Sequence, residues 1–518
     1  MKTELTVSFL IILLAAGQAQ AADITVDGSM CTLGDAVTAA NNDVDEGYCI
    51  GNGIYGDDII TLSTNVTLAG PLPEITSIIT IEGQGYSIDG NDSTAVGTVL
   101  RISPIGDLTL NETIVTRGNA PIDAGGGIYN EGTLTLSNSM VSGNTALYGG
   151  GICNFDGTVT LTDSTVNGNM ANDGGGGIDS HFGTVTLTNS MVSGNIADGI
   201  CGGIGNSLGM VTLTNITVSG NTAAYSSGGI NNEDGTVILT NITVSGNTAA
   251  YSSGGINNED GTVILTNTTV SGNTVTGNMP FSTFSYGGGI GNDGGTVTLI
   301  NSTVSGNSVS SPDFAYGGGI RNDSGTVTLT SPDFAYGGGI RNDSGTVTLT
   351  NSTVSGNTAN DSGGGIYNAL YDGGTVILHS SLISGNTAYY GNEVVDNGGT
   401  ITAASFNLFG HSSESNSDAF DGFTPGSSDS TATSDGADPT ALGDILAPLA
   451  NNGGPTETHA LIIGSPAIDL DTECSAGLNE DQRGEARPNG SGCDAGSFEG
   501  SIDLLNSTFL PAVYMLLL

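Results

Sequence analysis

Acidic side chains recur at one place in this chain, just before a repeated glycine: Glu131, Asp156, Asp234, Asp260, Asp293, Asp323, Asp343 and Asp372. Carboxylates stacked one above another repel each other, and a hard cation such as Ca²⁺ relieves that repulsion through oxygen ligands. The candidate cation column is Asp234, Asp260, Asp293, Asp323 and Asp343. The competing reading is that Asp is simply a good turn residue. No other cofactor is expected.

Catalytic chemistry finds less to work with. A glycoside hydrolase needs two or three converging carboxylates. A polysaccharide lyase needs a base, usually Lys or Arg, beside a charge-neutralising group. Asp57 and Asp58 are adjacent, while His181, His379, His411 and His459 are scattered, with no partner at useful spacing. The basic residues are Lys2 and six arginines: Arg101, Arg117, Arg321, Arg341, Arg483 and Arg487. No catalytic residue is assigned, and an enzyme is not expected.

Charge narrows the partners. Lys+Arg is 7 against Asp+Glu 52, a formal net charge of -45. Such a surface repels phosphate backbones, which excludes nucleic acid as a partner, and it repels polyuronates for the same reason. Surface glycans or other cell-surface proteins remain as partners.

Export and cysteine usage agree. Lys2, the apolar run Leu5–Ala16 and the small-x-small triplet Ala19-Gln20-Ala21 read as a signal peptide over residues 1–21. Its apolar run is too short to span a bilayer, so no transmembrane helix is expected after its removal. In an oxidising compartment Cys31–Cys49 and Cys474–Cys493 pair as disulfides closing short terminal loops. Cys153 and Cys201 lie inside the repeats, two coils apart, and are expected free and partly buried.

The elements that position these residues follow from internal repetition. The unit is GGGI-x-N, an acidic turn, GTVTLTN and STVSGNTA. Its glycine recurs at Gly132, Gly157, Gly183, Gly209, Gly235 and Gly261, a period near 26, and again at Gly295, Gly325, Gly345 and Gly374. The apolar period is two: Val159, Leu161 and Val166 point inward, Thr158, Thr160, Thr162 and Thr165 outward, and Ile152 supplies a third wall. With 84 Gly, no Trp and 13 Phe, only a narrow core of Val, Ile and Leu can form. These features predict an all-β parallel solenoid, about 10–12 coils of three short strands with capped ends.

Asparagines that close the SGN triplets, NGN at Asn169 (Asn144, Asn169, Asn195, Asn221, Asn247, Asn273, Asn307, Asn357 and Asn386), suit left-handed turns and amide stacking. Residues 214–239 recur verbatim at 240–265, and 311–330 at 331–350. Coils copied whole read as scaffold. Outward threonines (Thr184/Thr186/Thr188, Thr326/Thr328/Thr330) offer an ice- or mineral-binding alternative, broken at Ile238, Ile264, Ile300 and His379.

The organisation reads as a signal (1–21), a cap (22–56) with a helix over Leu33–Asn41, irregular first coils (57–124) and β-helix repeats (125–400). A Ser/Asp-rich loop or linker (401–445), a compact module (446–500) and an apolar tail (501–518) follow.

Ile24–Leu62, with CTLGDAVTAANND, a second Cys and DDIITL, resembles the CSLREA domain of secreted bacterial β-helix proteins, without that motif's Arg. Leu446–Glu499, with NGGPTxTHAL, GSPAID, DQRGxxRP and CDAGSFE, resembles the choice-of-anchor Q module. The GGGI-x-N repeats are similar to those of polymorphic outer-membrane proteins, which are surface adhesins, although the companion FxxN motif is absent. These resemblances imply a right-handed parallel β-helix of the pectin-lyase-like kind, extracellular, at the cell surface or in the outer membrane, without implying an activity. The expected function is a non-enzymatic adhesin or envelope interaction component. A polysaccharide lyase or hydrolase is the alternative.

Overall fold

Alternation of valine and threonine at period two sets the basic element. In Thr158–Thr162, Val159 and Leu161 are fully buried while Thr158 is exposed. The strand pairs in parallel and in register with the next coil, Val159 on Val185 and Leu161 on Leu187. A slip of one residue would turn the threonines into the core, so the register is fixed by burial. Each buried Val, Leu or Ile contributes about 1.5–3 kcal/mol.

The structure, a computed structural model, describes residues 21–277, 284–309, 314–316, 318–330, 333–335, 338–359, 362–369, 373–474 and 477–500. The signal segment up to Gln20, Asp372 and the tail 501–518 lie outside the described residues.

The chain is an all-β parallel β-helix. Its sheets contain 15, 13, 15 and eight parallel strands, plus a two-stranded pair. Fifteen strands at about 4.8 Å give a rod of roughly 67 Å, longer than the 10–12 coils counted from the glycine repeat. The excess comes from irregular coils before and after the repeats. A central coil has four strands rather than three, as in Thr158–Thr162, Thr165–Asn167, Met170–Ala171 and Ile178–His181. The additional strand is two residues long, too short to show alternation.

Coil corners use the left-handed region. In the SGN triplets the glycine takes it (Gly194 φ 62°, Gly220 φ 63°), as do the preceding asparagines Asn189, Asn215 and Asn241. The triplet asparagines do not. They point inward, fully buried, and each amide donates to the next at 2.9–3.0 Å from Asn144 through Asn307. A second buried ladder runs from Asn206 through Asn232, Asn258, Asn292, Asn322 and Asn342 to Asn368, at 2.7–2.9 Å. The glycine run beside it is steric: a Cβ on Gly151 would lie 2.6 Å from the Gly177 carbonyl of the next coil.

Both ends are closed. Helix α1, Leu33–Asn42, is capped by the Thr32 side chain and buries Leu33, Ala36, Val37, Ala39 and Ala40 against the first coils. Residues 401–445 are not a linker. Thr400–Ser405, Leu408–Phe409 and Ser430–Thr431 continue the sheets, and Phe409, Phe420 and Phe423 pack edge to face at 5.3–5.9 Å as a plug. Their Ser/Asp content decorates turns around that apolar minority. Residues 446–500 fold back along the side of the rod. Gln482 donates to Thr303 at 2.8 Å, Ser380 donates to Asp471 at 2.6 Å, and the Ser497 N–H donates to Thr353 at 3.0 Å. Leu382, Leu408, Ile445, Leu446 and Ala467 make a small core there. No helix among the described residues is long and apolar enough to cross a membrane.

Candidate functional site

The verbatim coils, read from sequence as scaffold, carry the groove. Ile230–Glu233 and Ile256–Glu259 pair in register, which sets Asn231 on Asn257 and Glu233 on Glu259. The turn before each strand is held the same way, by the Tyr251 N–H on the Tyr225 carbonyl at 2.9 Å. The two tyrosine rings therefore stack, centroids 5.3 Å apart at 23°. Asn257 donates to Asn231 at 3.0 Å and accepts from Ser253 at 3.1 Å. In the next coil Gly291 replaces the asparagine, and beyond it stands Arg321. The result is an open groove of about 450 Å³ with a tyrosine wall, an amide floor and a carboxylate wall.

That carboxylate wall differs from the column read in sequence. The stacked residues are Glu233, Glu259, Asp293 and Asp323. Asp234 and Asp260 sit one position later at turns with φ 53°. Asp293 continues the glutamates because it pairs in register with Glu259, and Gly294 stands where the preceding coil has Asp260. Asp343 lies at the far end, bound by Arg321 at 2.8 Å and Arg341 at 2.7 Å, and Arg321 also holds Asp323 at 2.9 Å. Burial pushes Glu259 above the ordinary carboxylate range, helped by Glu233 and Asp293. Burial and Asp323 raise Asp293, partly offset by Arg321.

The remaining basic side chains are committed as well. Arg101 pairs with Asp123, Arg117 with Asp89 and Asp92, Arg483 with Asp481, and Arg487 with Glu499. Asp58 is fully buried and accepts the Gly56 N–H at 3.1 Å, a structural role at the first coil.

Two histidines have the partners that sequence spacing did not reveal. His181 meets Asp179 at 3.0 Å, and this hydrogen bond raises its pKa. Cys153 lies on the strand beside Asp179, but burial raises its thiol far above the reactive range. Cys201 is pushed up to about 12 by burial. Both thiols are free, and fully rather than partly buried. His411 lies 4.0 Å from Glu414.

Glu393, His411 and Glu414 bring metal-ligating atoms within 4.8 Å of one another. Glu393 accepts the Gly385 N–H at 2.7 Å and the Asn386 amide at 2.6 Å, beyond the separate Asn357–Asn386 amide pair. Burial, with the neighbouring Glu414 carboxyl, holds Glu393 well above the usual carboxylate range. His411 Nδ1 accepts the Ser413 N–H at 3.3 Å. These carboxylate and imidazole atoms are already engaged by the chain's own N–H groups.

Cys31 and Cys49 are joined with S–S 2.00 Å, and Cys474 and Cys493 with S–S 2.04 Å. The outward threonines stack in register on the first sheet, interrupted by Ile238, Ile264, Ile300 and His379.

No family model matches the chain, and no curated protein sequence matches it. Among solved structures, the crystal structure of pectate lyase Pel9A matches at 13% identity, over 93% of this chain and 97% of that chain, with a TM-score of 0.26. Likeness at that level says nothing about substrate or activity.

Proposed function

We propose that this chain is a secreted or cell-surface interaction protein, an adhesin or envelope component, which takes a surface glycan in the Tyr225–Tyr251 groove. The observation behind this reading is the doubled side-chain set: Tyr225, Asn231 and Glu233 recur as Tyr251, Asn257 and Glu259 one strand away. Tyrosine faces suit the C–H faces of sugar rings, while amides and carboxylates bind hydroxyls. Identical subsites one coil apart suit a polymer. The signal-like start and the anchor-like module support a position outside the cell.

A binding role fits the charges better than cleavage. All six arginines are engaged by the chain's own carboxylates, which leaves a lyase without its usual base. The groove carboxylates stand in one line on one wall, whereas a hydrolase flanks its bond from both sides. One observation favours a hydrolase as the second reading: Glu259 is raised, as a general acid would be.

Cell fractionation followed by a glycan array on purified protein tests the proposal. Envelope or medium localisation with retention of one glycan class is the expected result. Release of new reducing ends, lost in Glu259→Gln, would replace binding with hydrolysis.

A further inference from the structure

We infer that the groove selects a glycan carrying free amines, a cationic amino-sugar polymer, over neutral or acidic glycans. This rests on the reading that the groove binds glycan at all.

Charge on the walls is the first argument. Glu233, Glu259 and Asp293 follow one another on successive strands, about 4.8 Å apart. At that distance like charges repel, and a shared cationic ligand removes the repulsion. Glu259 is raised by burial and then by Glu233 and Asp293, and Asp293 by burial and then by Asp323, partly offset by Arg321. Arg321 neutralises the far end of the line, where it hydrogen-bonds Asp323 and Asp343. The amino-terminal half of the wall is the part left rich in negative charge. An acidic sugar would add to that charge, and a neutral sugar would leave it uncompensated.

Geometry is the second argument. The tyrosine stack and the two glutamates lie on the same two coils and line one groove, so a sugar packed against the exposed side of the stack shares that groove with the carboxylates. An ammonium group gains there from charge-assisted hydrogen bonds to the carboxylates. The motif repeats without change on the next coil, so a polymer with an amine on each sugar can meet successive glutamates.

The test uses calorimetric titration of the full exported chain with a glucosamine hexasaccharide and its fully N-acetylated counterpart, at mildly acidic pH. The two probes share ring and linkage and differ in charge. The amine form should bind at least about tenfold tighter at low salt, with the ratio shrinking as salt rises. Glu233→Gln with Glu259→Gln should abolish the preference while leaving the acetylated form bound. Asp107→Asn with Asp163→Asn, on other faces, should leave the ratio unchanged, which separates the groove from the general acidity of the surface. Equal binding of the two forms, or a preference that survives the glutamine pair, overturns selection by charge and leaves glycan binding intact. Failure of both forms to bind overturns the glycan reading as well.

Discussion

Replacing Asn221 by alanine removes one rung of the buried amide ladder, and the structure fixes what is lost. The Asn221 Oδ1 accepts both the N–H and the Nδ2 of Asn195, each at 3.0 Å, and its own Nδ2 donates to the Val192 carbonyl at 3.1 Å and to Asn247 at 3.0 Å. In Asn221→Ala the Asn195 N–H loses its partner in a dry interior, at about 1–3 kcal/mol. The Asn195 amide keeps Val166, and Asn247 Oδ1 keeps the Asn221 backbone N–H, so the other losses are about 1 kcal/mol or less each. The total comes to about 3–5 kcal/mol. It should stay local, because a solenoid coil contacts only its neighbours. Hydrogen exchange read by mass spectrometry over residues 192–222 measures it: protection should fall by about two to three orders of magnitude there and remain unchanged near α1. The exposed rung Asn241 is the control. Glycine tolerates its φ of 57°, and water replaces its bonds to Asn215 and Asn267, so Asn241→Gly should cost about 0.5 kcal/mol or less. Equal effects of the two substitutions would refute the claim that buried amide pairing holds the coils in register.

Deleting residues 214–239 restores the same local sequence at the junction and should give a folded, exported rod one coil shorter by small-angle scattering, whereas deleting 22–56 bares a sheet end and should aggregate; the reverse outcome would contradict the register and the cap. Cys153 and Cys201 should resist alkylation in the folded chain at mildly alkaline pH and react only in denaturant, since burial raises both thiols; labelling of the native protein would contradict their place in the core. Asp494 is raised to about 6 by burial and by Glu499. The folded state therefore binds its proton more tightly than the unfolded chain does, so the contribution is complete below about pH 4 and is lost as pH rises through about 6, by at most about 3 kcal/mol. Proteolysis of the 446–500 block should accelerate across that window in the wild type and lose its pH dependence in Asp494→Asn. Millimolar Ca²⁺ against chelator should shift the melting temperature by less than about 2 °C, because a site with millimolar affinity contributes only about 0.4 kcal/mol at its own dissociation constant; a larger shift would restore a cation to the acidic wall.

The coil was legible because its signal is strictly local. Val159, Leu161 and Val166 alternate with threonine inside one stretch, and parity alone decides which side is buried. The SGN asparagines were legible as a stack but not as an inward one, because the glycine beside each takes the left-handed corner that asparagine also tolerates. The second ladder was available to the same parity argument, since Asn232 lies two residues after the buried Ile230. The groove was not legible. Tyr225 and Glu233 are separated along the chain by a turn, and only the stacking of coils lines them up with Tyr251 and Glu259. Literal duplication, which suggested scaffold, is what makes that surface regular. Residues 401–445 misled through composition: their many serines and aspartates outweigh the three phenylalanines that hold them to the rod. The resting place of the C-terminal block depends on contacts such as Ser497 with Thr353, across 144 residues, where local pattern carries no information.

On the proposed reading, the doubled tyrosine–asparagine–glutamate surface is where a glycan binds. Titration of the best-retained glycan against the wild type and against Tyr225→Ala with Tyr251→Ala tests it most directly, with hydrogen exchange to verify that the coils stay intact. Removing two stacked aromatic anchors should weaken binding by at least about tenfold, or 1.4 kcal/mol, and should abolish ligand-induced protection over residues 225–233 and 251–259. Unchanged affinity in a folded double variant would contradict the claim.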